Sequence, residues 1–473
     1  MGLQEGKFPA SPAKNKGVIM AILDFIAKVT NAFWGWPILV VLLGGGLLIN
    51  FRTGWVQLRY LPFVLKQTFG KMFSSHVGGE GSVSPFQAAT AALASSIGAA
   101  NIVVAPSIIF TAGPGAIFWM WIAAMIGQGT KFGEIVLGIK YREQNADGEY
   151  VGGPAYTFKK GIGGTLGKIM GFLVSFFFMI EILPSITVQT ISAVGPLEQL
   201  GLSRLVGSII IAVLVVLVAY GGIKRISQVT EKMVPFMAAL YIIIGLFIII
   251  LHIDQVPNAF RMIFVGAFNP KAIAGGAAGA SISALIRAGA ARGCYSNEAG
   301  MGSAPYAHAT AVTDHPVRQA MWGIFEVISD TIIVCTISAL VVLCTGLYQN
   351  PDMKDVGVER AFNSAIGQVG TAIVAISLFL FVLSTIIVIV FYAEKQGEYL
   401  FGTAFGKVIR LISCGMVILG GFVSFDNAGL FLDATLGLVV FTNMVGMIIL
   451  SGEIKEQVDE FFGDPKFYPG AKK

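Results

Sequence analysis

Charge is scarce in this sequence. Only 12% of its 473 residues are Asp, Glu, Lys or Arg, against roughly 25% in a soluble domain. With 55% of residues hydrophobic, that deficit excludes a water-soluble globular protein and implies an integral membrane protein. Histidine and cysteine are scarcer still, at four residues each. His76, His252, His308 and His315 lack metal-ligand spacing. Cys294, Cys335, Cys344 and Cys414 fall in or near apolar runs without metal or disulfide spacing, and read as small core residues. Neither a nucleophile elbow nor a phosphate-binding loop occurs, so no enzyme activity and no cofactor are expected. The net charge of +5 fits basic loops facing an anionic leaflet and implies no nucleic-acid partner. The polar opening residues precede an apolar stretch that carries Asp24 and Lys28 and shows no clear cleavage site. No removed leader is therefore expected.

Long apolar runs are what the chain has instead. Runs of about 20 residues predict helices, because barrel strands would alternate over only ~10 residues. About eleven transmembrane helices are predicted, near 34–51, 85–111, 115–141, 167–199, 205–222, 230–252, 271–292, 317–346, 369–393, 407–424 and 428–451. The amphipathic piece 17–33 is predicted to lie at the interface and to turn at "WGWP" into the first span. Basic residues collect in alternate loops: Arg52, Arg59, Lys66 and Lys71; Lys140, Arg142, Lys159 and Lys160; Lys224 and Arg225; Lys395, Lys407 and Arg410. The other side offers only scattered cations such as Arg204, Arg261, Lys354 and Arg360. The positive-inside rule puts the amino terminus outside and the carboxyl terminus in the cytoplasm of a multi-pass cell (inner) membrane protein.

Glycine is abundant, with 58 residues, and is concentrated in two segments. These are "GEGSVSPFQAATAALASSIGAAN" and "AGGAAGASISALIRAGAARGCYSNEAGMGSAP". They lie five spans apart, so the second enters the membrane from the opposite side. That is the arithmetic of an inverted repeat, and paired Gly-interrupted spans mark the binding site of secondary transporters. The implied organisation is an N-terminal segment 1–33 with the interfacial helix and an extra span with a basic loop at 34–84. A first repeat follows at 85–252, a second at 253–451, and a cytoplasmic tail at 452–473. Small residues also serve close helix packing, but packing does not explain Asn101, Asn297 and Glu298.

Within "ASSIGAANIVVAPS" (Ala94 to Ser107), a helix broken near Gly98 would free N–H groups suited to a carboxylate and carbonyls suited to sodium. Asn101 either adds an oxygen to an ion site or bonds a neighbouring helix. Glu298, in "RGCYSNEAGMGSAP", has Arg287 and Arg292 as candidate partners, which would make it an ion pair or gate. Glu134 lies one turn after Lys131, so a local pair is expected there. Asp330 and Asp433 sit inside spans, where each either caps a helix break or polarises the transport path. Glu181, in "FFFMIEILPSITVQT", has no basic neighbour. It either binds a proton or cation, or stays protonated against a neighbouring helix. Gln189 follows two turns later on roughly the same face. Ser384 and Thr385 form either a hard-cation site or ordinary back-bonds to the preceding turn.

The segments "GEGSVSPFQAATAALASSIGAANI", "AGPGAIFWMWIAAMIGQGTKFGEIVLGIKYRE", "DGEYVGGPAYTFKKG" and "RGCYSNEAGMGSAPYAHA" resemble those of the alanine/glycine:cation symporter family, in order and over nearly the whole chain. The resemblance implies a LeuT-like, all-α fold with five-plus-five inverted repeats and one extra N-terminal helix. It also implies sodium- or proton-coupled uptake of small amino acids. By similarity, the backbone of Gly98, Ala99 and Ala100 holds the substrate carboxylate, Gln189 contacts the substrate and Tyr295 lines the pocket. A sodium ion would lie between carbonyls of Ala94 and Ile97 and the hydroxyls of Ser384 and Thr385, with Asn101 also counted among the cation-binding residues.

The chain departs from the family pattern at several points. Ala99-Ala100 stands where Thr-Gly is usual, and Val388-Ile389 where Gly-Trp is common, which puts Ile389 at the substrate pocket. Ile191 replaces an asparagine, and Glu181 replaces a small apolar residue. Coupling or gating roles are expected for Glu181, Asn297, Glu298 and Asp330. The expected function is sodium-coupled symport of a small neutral amino acid by alternating access. Two alternatives stand beside it: a proton-coupled or altered-specificity carrier of the same fold, and a transport-inactive membrane sensor.

Overall fold

A computed structural model describes residues 28, 30, 33–72, 79–146, 148–269, 281–349, 357–423 and 425–471. Most of the expected interfacial piece 17–33, and the start of the span expected at 271–292, lie outside these residues. The first described span is α1 (Trp36–Thr53). It stops at Gly54, whose φ of 68° ends the helix in the left-handed conformation. Two short helices, Val56–Arg59 and Leu61–Gln67, then carry the basic loop along the bundle end.

The next span is in two pieces, α2 (Pro85–Ser96) and α3 (Ala105–Thr111), the latter entered through a π-turn at Ala100–Val104. A capping box starts α2: Ser84 Oγ accepts from the Gln87 N–H, and the Gln87 side chain accepts from the Ser84 N–H, with Pro85 at the first turn. The axis bends by 54° at the break. Then come α4 (Gly115–Lys140), a small antiparallel hairpin of β1 (Glu143–Gln144) and β2 (Tyr150–Val151), and α5 (Gly164–Gln199). At 36 residues α5 is about 54 Å long, well beyond a ~30 Å hydrocarbon core.

The chain continues through α6 (Arg204–Ala219), α7 (Gly222–Leu251), α8 (Val256–Phe268) and α9 (Ile282–Asn297). A second break separates α9 from α10 (Ala304–His308). It is followed by α11 (Pro316–Cys344), α12 (Gly357–Ile366), α13 (Gln368–Phe401), α14 (Thr403–Leu419), α15 (Phe425–Ile449) and α16 (Ser451–Gly463).

Among the described residues, 6 helices are long and apolar enough to cross a membrane, and the bent pair makes up to 7. The helices α4, α6, α9 and α14 stand at the other four expected places but are shorter or more polar. The chain is thus an all-α, multi-pass membrane protein. Several helices outrun their expected ends: α7 begins at Gly222 and α13 continues to Phe401. Charged residues at the end of α13 lower the hydropathy without breaking the helix, because they find partners at the bundle end. Lys395 bonds Glu149 and Glu398, and Glu394 accepts from Arg410.

Packing places the broken helix at the centre. α2 lies between α7 and α13, while α4 packs on α9 and α11, and α5 on α13 and α15. Ser384 to Ala393 of α13 are all buried. Large apolar side chains such as Ile243, Phe247, Leu217 and Leu411 face outward on α7, α6 and α14, as lipid contact requires. The α4–α9 crossing is close: a Cβ on Gly289 would lie 2.6 Å from the Ala116 carbonyl oxygen. Gly289→Ala is therefore expected to destabilise the purified protein by about 1–3 kcal/mol. Gly429→Ala, where the added methyl meets open space, should be neutral or slightly stabilising in the same detergent thermal melt.

Candidate functional site

The first break follows from the residues around Gly98. Ile97 leaves the helix at φ −78°, ψ 87°, and helical structure resumes just past Gly98. The released groups are taken by side chains. The Gly98 N–H donates to Asn101 Oδ1 at 2.9 Å, and the Ala99 N–H to Gln189 Oε1 at 3.0 Å. A Cβ at Gly98 would stand 2.8 Å from Thr385 Oγ1 and 3.0 Å from both amide atoms of Gln189. Only glycine lets these two side chains reach the backbone.

The carbonyl side of the break faces α13. Thr385 Oγ1 lies 2.8 Å from the Ala94 oxygen, 3.4 Å from that of Ile97 and 2.9 Å from that of Phe381. One hydroxyl proton serves three acceptors, so this is a cluster rich in oxygen and poor in donors. Ser384, expected to share this position, instead donates to the Phe381 carbonyl at 2.9 Å and lies 3.4 Å from Met237 Sδ. Adjacent residues on a helix differ by about 100° in direction, and here Thr385 is the one of the pair that faces the break.

A cavity of about 20 Å³ adjoins the break. Ala100, Glu181, Gln189, Tyr295, Glu298, Thr385 and Ile389 all line it, seven of the residues expected from sequence, drawn from α5, α13 and the two broken spans. Asn101, Asn297 and Asp330 gather apart from it. Asn101 Nδ2 donates to Asp330 Oδ1 at 2.5 Å and to Ser296 Oγ at 3.0 Å. Ser296 and Thr331 each donate to Asp330 Oδ2 at 2.7 Å, and Asn297 Nδ2 donates to Thr331 at 3.0 Å. Asn101 therefore clamps the break to α9 and α11, on the other side from the Thr385 oxygens.

The second break is held by carboxylates. Glu298 sits in the left-handed region at φ 59°, and its Oε2 accepts from Ser95 at 3.0 Å and Ser303 at 2.6 Å. It thus ties the two broken spans together. Neither arginine considered from sequence is its partner: Arg292 pairs with Asp433 at 3.1 Å. Nor do Lys131 and Glu134 pair locally. Glu134 Oε1 accepts the Gly300 and Gly302 N–H groups at 3.0 Å each and Asn443 Nδ2 at 2.7 Å. Lys131 Nζ donates to the Asn297 carbonyl at 2.9 Å and meets Glu326 at 3.1 Å, and Glu326 also bonds His308 at 2.7 Å. Released backbone groups in a dry interior outbid a neighbouring side chain one turn away. Glu326, Ser303, Ser296 and Asn443 were missed by sequence reasoning. A lone acid in an apolar run, the signal that marked Glu181 and Asp330, also marks Glu326.

Comparison with known proteins agrees with this geometry. The profile of the sodium:alanine symporter family matches residues 20–467. The transporter YflA of Bacillus subtilis (strain 168) is 41% identical over 94% of this chain and 95% of its own length. The sodium/alanine symporter AgcS of Methanococcus maripaludis is 39% identical over 93% and 98%. Among solved structures, MhsT in complex with L-phenylalanine superposes with a TM-score of 0.57 at 12% identity, covering 80% of this chain and 99% of that one. At that identity the likeness is one of fold, the LeuT-like fold.

Asp330→Ala is expected to strand the donors of Asn101, Ser296 and Thr331 in the interior, at about 1–3 kcal/mol for each. Asp330→Asn, which keeps acceptor capacity, should recover part of the loss in the same melting measurement. With two broken spans crossing at one small polar cavity, and with near full-length similarity to these carriers, the chain belongs to the sodium:alanine symporter family and is a membrane transporter, not an enzyme.

Proposed function

We propose that the protein is a sodium-coupled symporter of a small neutral amino acid, alanine- or glycine-like, working by alternating access around the break at Gly98. One observation carries this reading: Thr385 Oγ1 meets the Ala94 and Ile97 carbonyls, at 2.8 and 3.4 Å, beside the cavity lined by Gln189 and Tyr295. Uncharged oxygens converging from two helices suit a hard monovalent cation. A sodium ion taking the place of the hydroxyl's hydrogen bonds would join α2 to α13. The amino acid's carboxylate would take the N–H groups that Asn101 and Gln189 hold here. Ion and carboxylate side by side compensate each other where water does not screen them, so each favours binding of the other. The printed name of the Methanococcus relative, a sodium/alanine symporter, supports this cargo.

A larger cavity of about 270 Å³ supports an access route. It is lined by Ile102, Phe110, Ile191, Glu198, Arg204 and Glu359, and so begins next to the break. Toward the basic end, Ser175 and Tyr306 both donate to Gln396 Oε1, at 2.8 and 3.0 Å, in a buried seal. In our reading the basic end is cytoplasmic and this conformation faces outward.

The two hydroxyls are expected to differ. In proteoliposomes loaded for [³H]alanine or [³H]glycine uptake, Thr385→Val should lower sodium stimulation roughly tenfold or more. Ser384→Ala should change it less than that. Sodium-driven uptake at the wild-type level in Thr385→Val would overturn the ion-site assignment.

A further inference from the structure

Glu181 stands out from the rest of the cavity. It is 2% exposed and lines the cavity beside Ser185, Gln189 and Tyr295. Its Oε1 is buried with no hydrogen-bond partner. The other carboxylate of the cavity is already engaged, since Glu298 Oε2 accepts two serine hydroxyls. No Lys, Arg or His is among the residues lining the cavity, so no protein cation answers Glu181. A buried acceptor is rarely left unmet in a folded protein, and here the open demand points at the space a cargo would occupy.

Position says which end of the cargo it meets. Gln189, Ser185, Ile182 and Glu181 all line the cavity, forming one strip of α5 that runs away from the break. Eight residues separate Gln189 from Glu181, about 12 Å along the helix. Gln189 is bonded to the backbone of the break, where the proposed carboxylate site lies. Phe178 closes the strip one turn beyond, so Glu181 is its last polar residue, where a side chain would point.

We infer that Glu181 selects the cargo: the cavity, which at about 20 Å³ has room here for about one water, widens to take a small amino acid whose side chain ends in a nitrogen donor, an amide N–H or an ammonium, which bonds the Glu181 carboxylate. The inference rests on the amino-acid symport reading and narrows its substrate from alanine-like to donor-bearing. A bare methyl group leaves Glu181 unmet, whereas a donor gains a charge-assisted hydrogen bond. That difference corresponds to roughly 10- to 100-fold in affinity.

The test is equilibrium binding to the purified full-length protein in sodium, with L-alanine, L-asparagine and L-2,3-diaminopropionate as probes. Wild type should bind one or both nitrogen-bearing probes roughly 10- to 100-fold more tightly than alanine. The probe preferred distinguishes amide from ammonium. In Glu181→Leu the ratio to alanine should collapse toward one. Glu181→Gln, which keeps shape and an acceptor, should retain asparagine preference better than diaminopropionate preference. An unchanged ratio in Glu181→Leu overturns the inference, including the case where all probes weaken equally because Glu181 holds the common α-ammonium. So does a loss of pH dependence in Glu181→Gln with the ratio intact, which would make Glu181 a proton carrier. If wild type binds none of the three probes, the amino-acid reading itself fails, a result separate from a lost preference.

Discussion

A helix that breaks inside a bilayer must find partners for every backbone group it releases, because no water is there to supply them. The central architecture of this protein answers that constraint. At the first break the partners are Asn101, Gln189 and Thr385. At the second they are Glu134 and Lys131. The polar residues that looked anomalous in apolar spans mostly serve this need. Their placement leaves the oxygens around Thr385 and the small cavity beside it as the region where polar groups converge without being fully consumed.

The two breaks are not independent. Glu298 of the second accepts from Ser95 of the first, and Asn101 of the first donates to Ser296 and Asp330 beside the second. A ligand that reorders one break must therefore disturb bonds made by the other. In the proposed cycle this supplies the coupling between cargo binding and movement of the two spans. The surrounding helices, α4 with α9 and α11, and α5 with α13 and α15, form the packed groups against which such movement occurs.

Much of this was legible in the sequence. Hydropathy located the spans, and the small residues around Gly98 marked the break. Gln189, Tyr295, Thr385, Ile389, Glu181 and Glu298 do share one cavity. Partner assignment fared worse. Arg292 bonds Asp433 rather than Glu298, and Glu134 reaches glycine N–H groups rather than Lys131. Ser384 takes the back-bond that the sequence left open beside a cation site. Each of these depended on which residue lies across an interhelical gap, and spacing along one helix carries no such information.

The sequence by itself determined the membrane class, the helical architecture and the position of the weak points. Those follow from composition and local backbone chemistry, which act over one or two turns. Only the tertiary structure decided that the weak points meet, which hydroxyl of an adjacent pair faces the break, and which carboxylates are already satisfied. A buried carboxylate's state depends on donors hundreds of residues away in the chain, as Ser95 with Glu298 shows. That is why Glu181 read as one lone acid among several in the sequence, yet stands alone in the folded cavity as an acceptor without a partner.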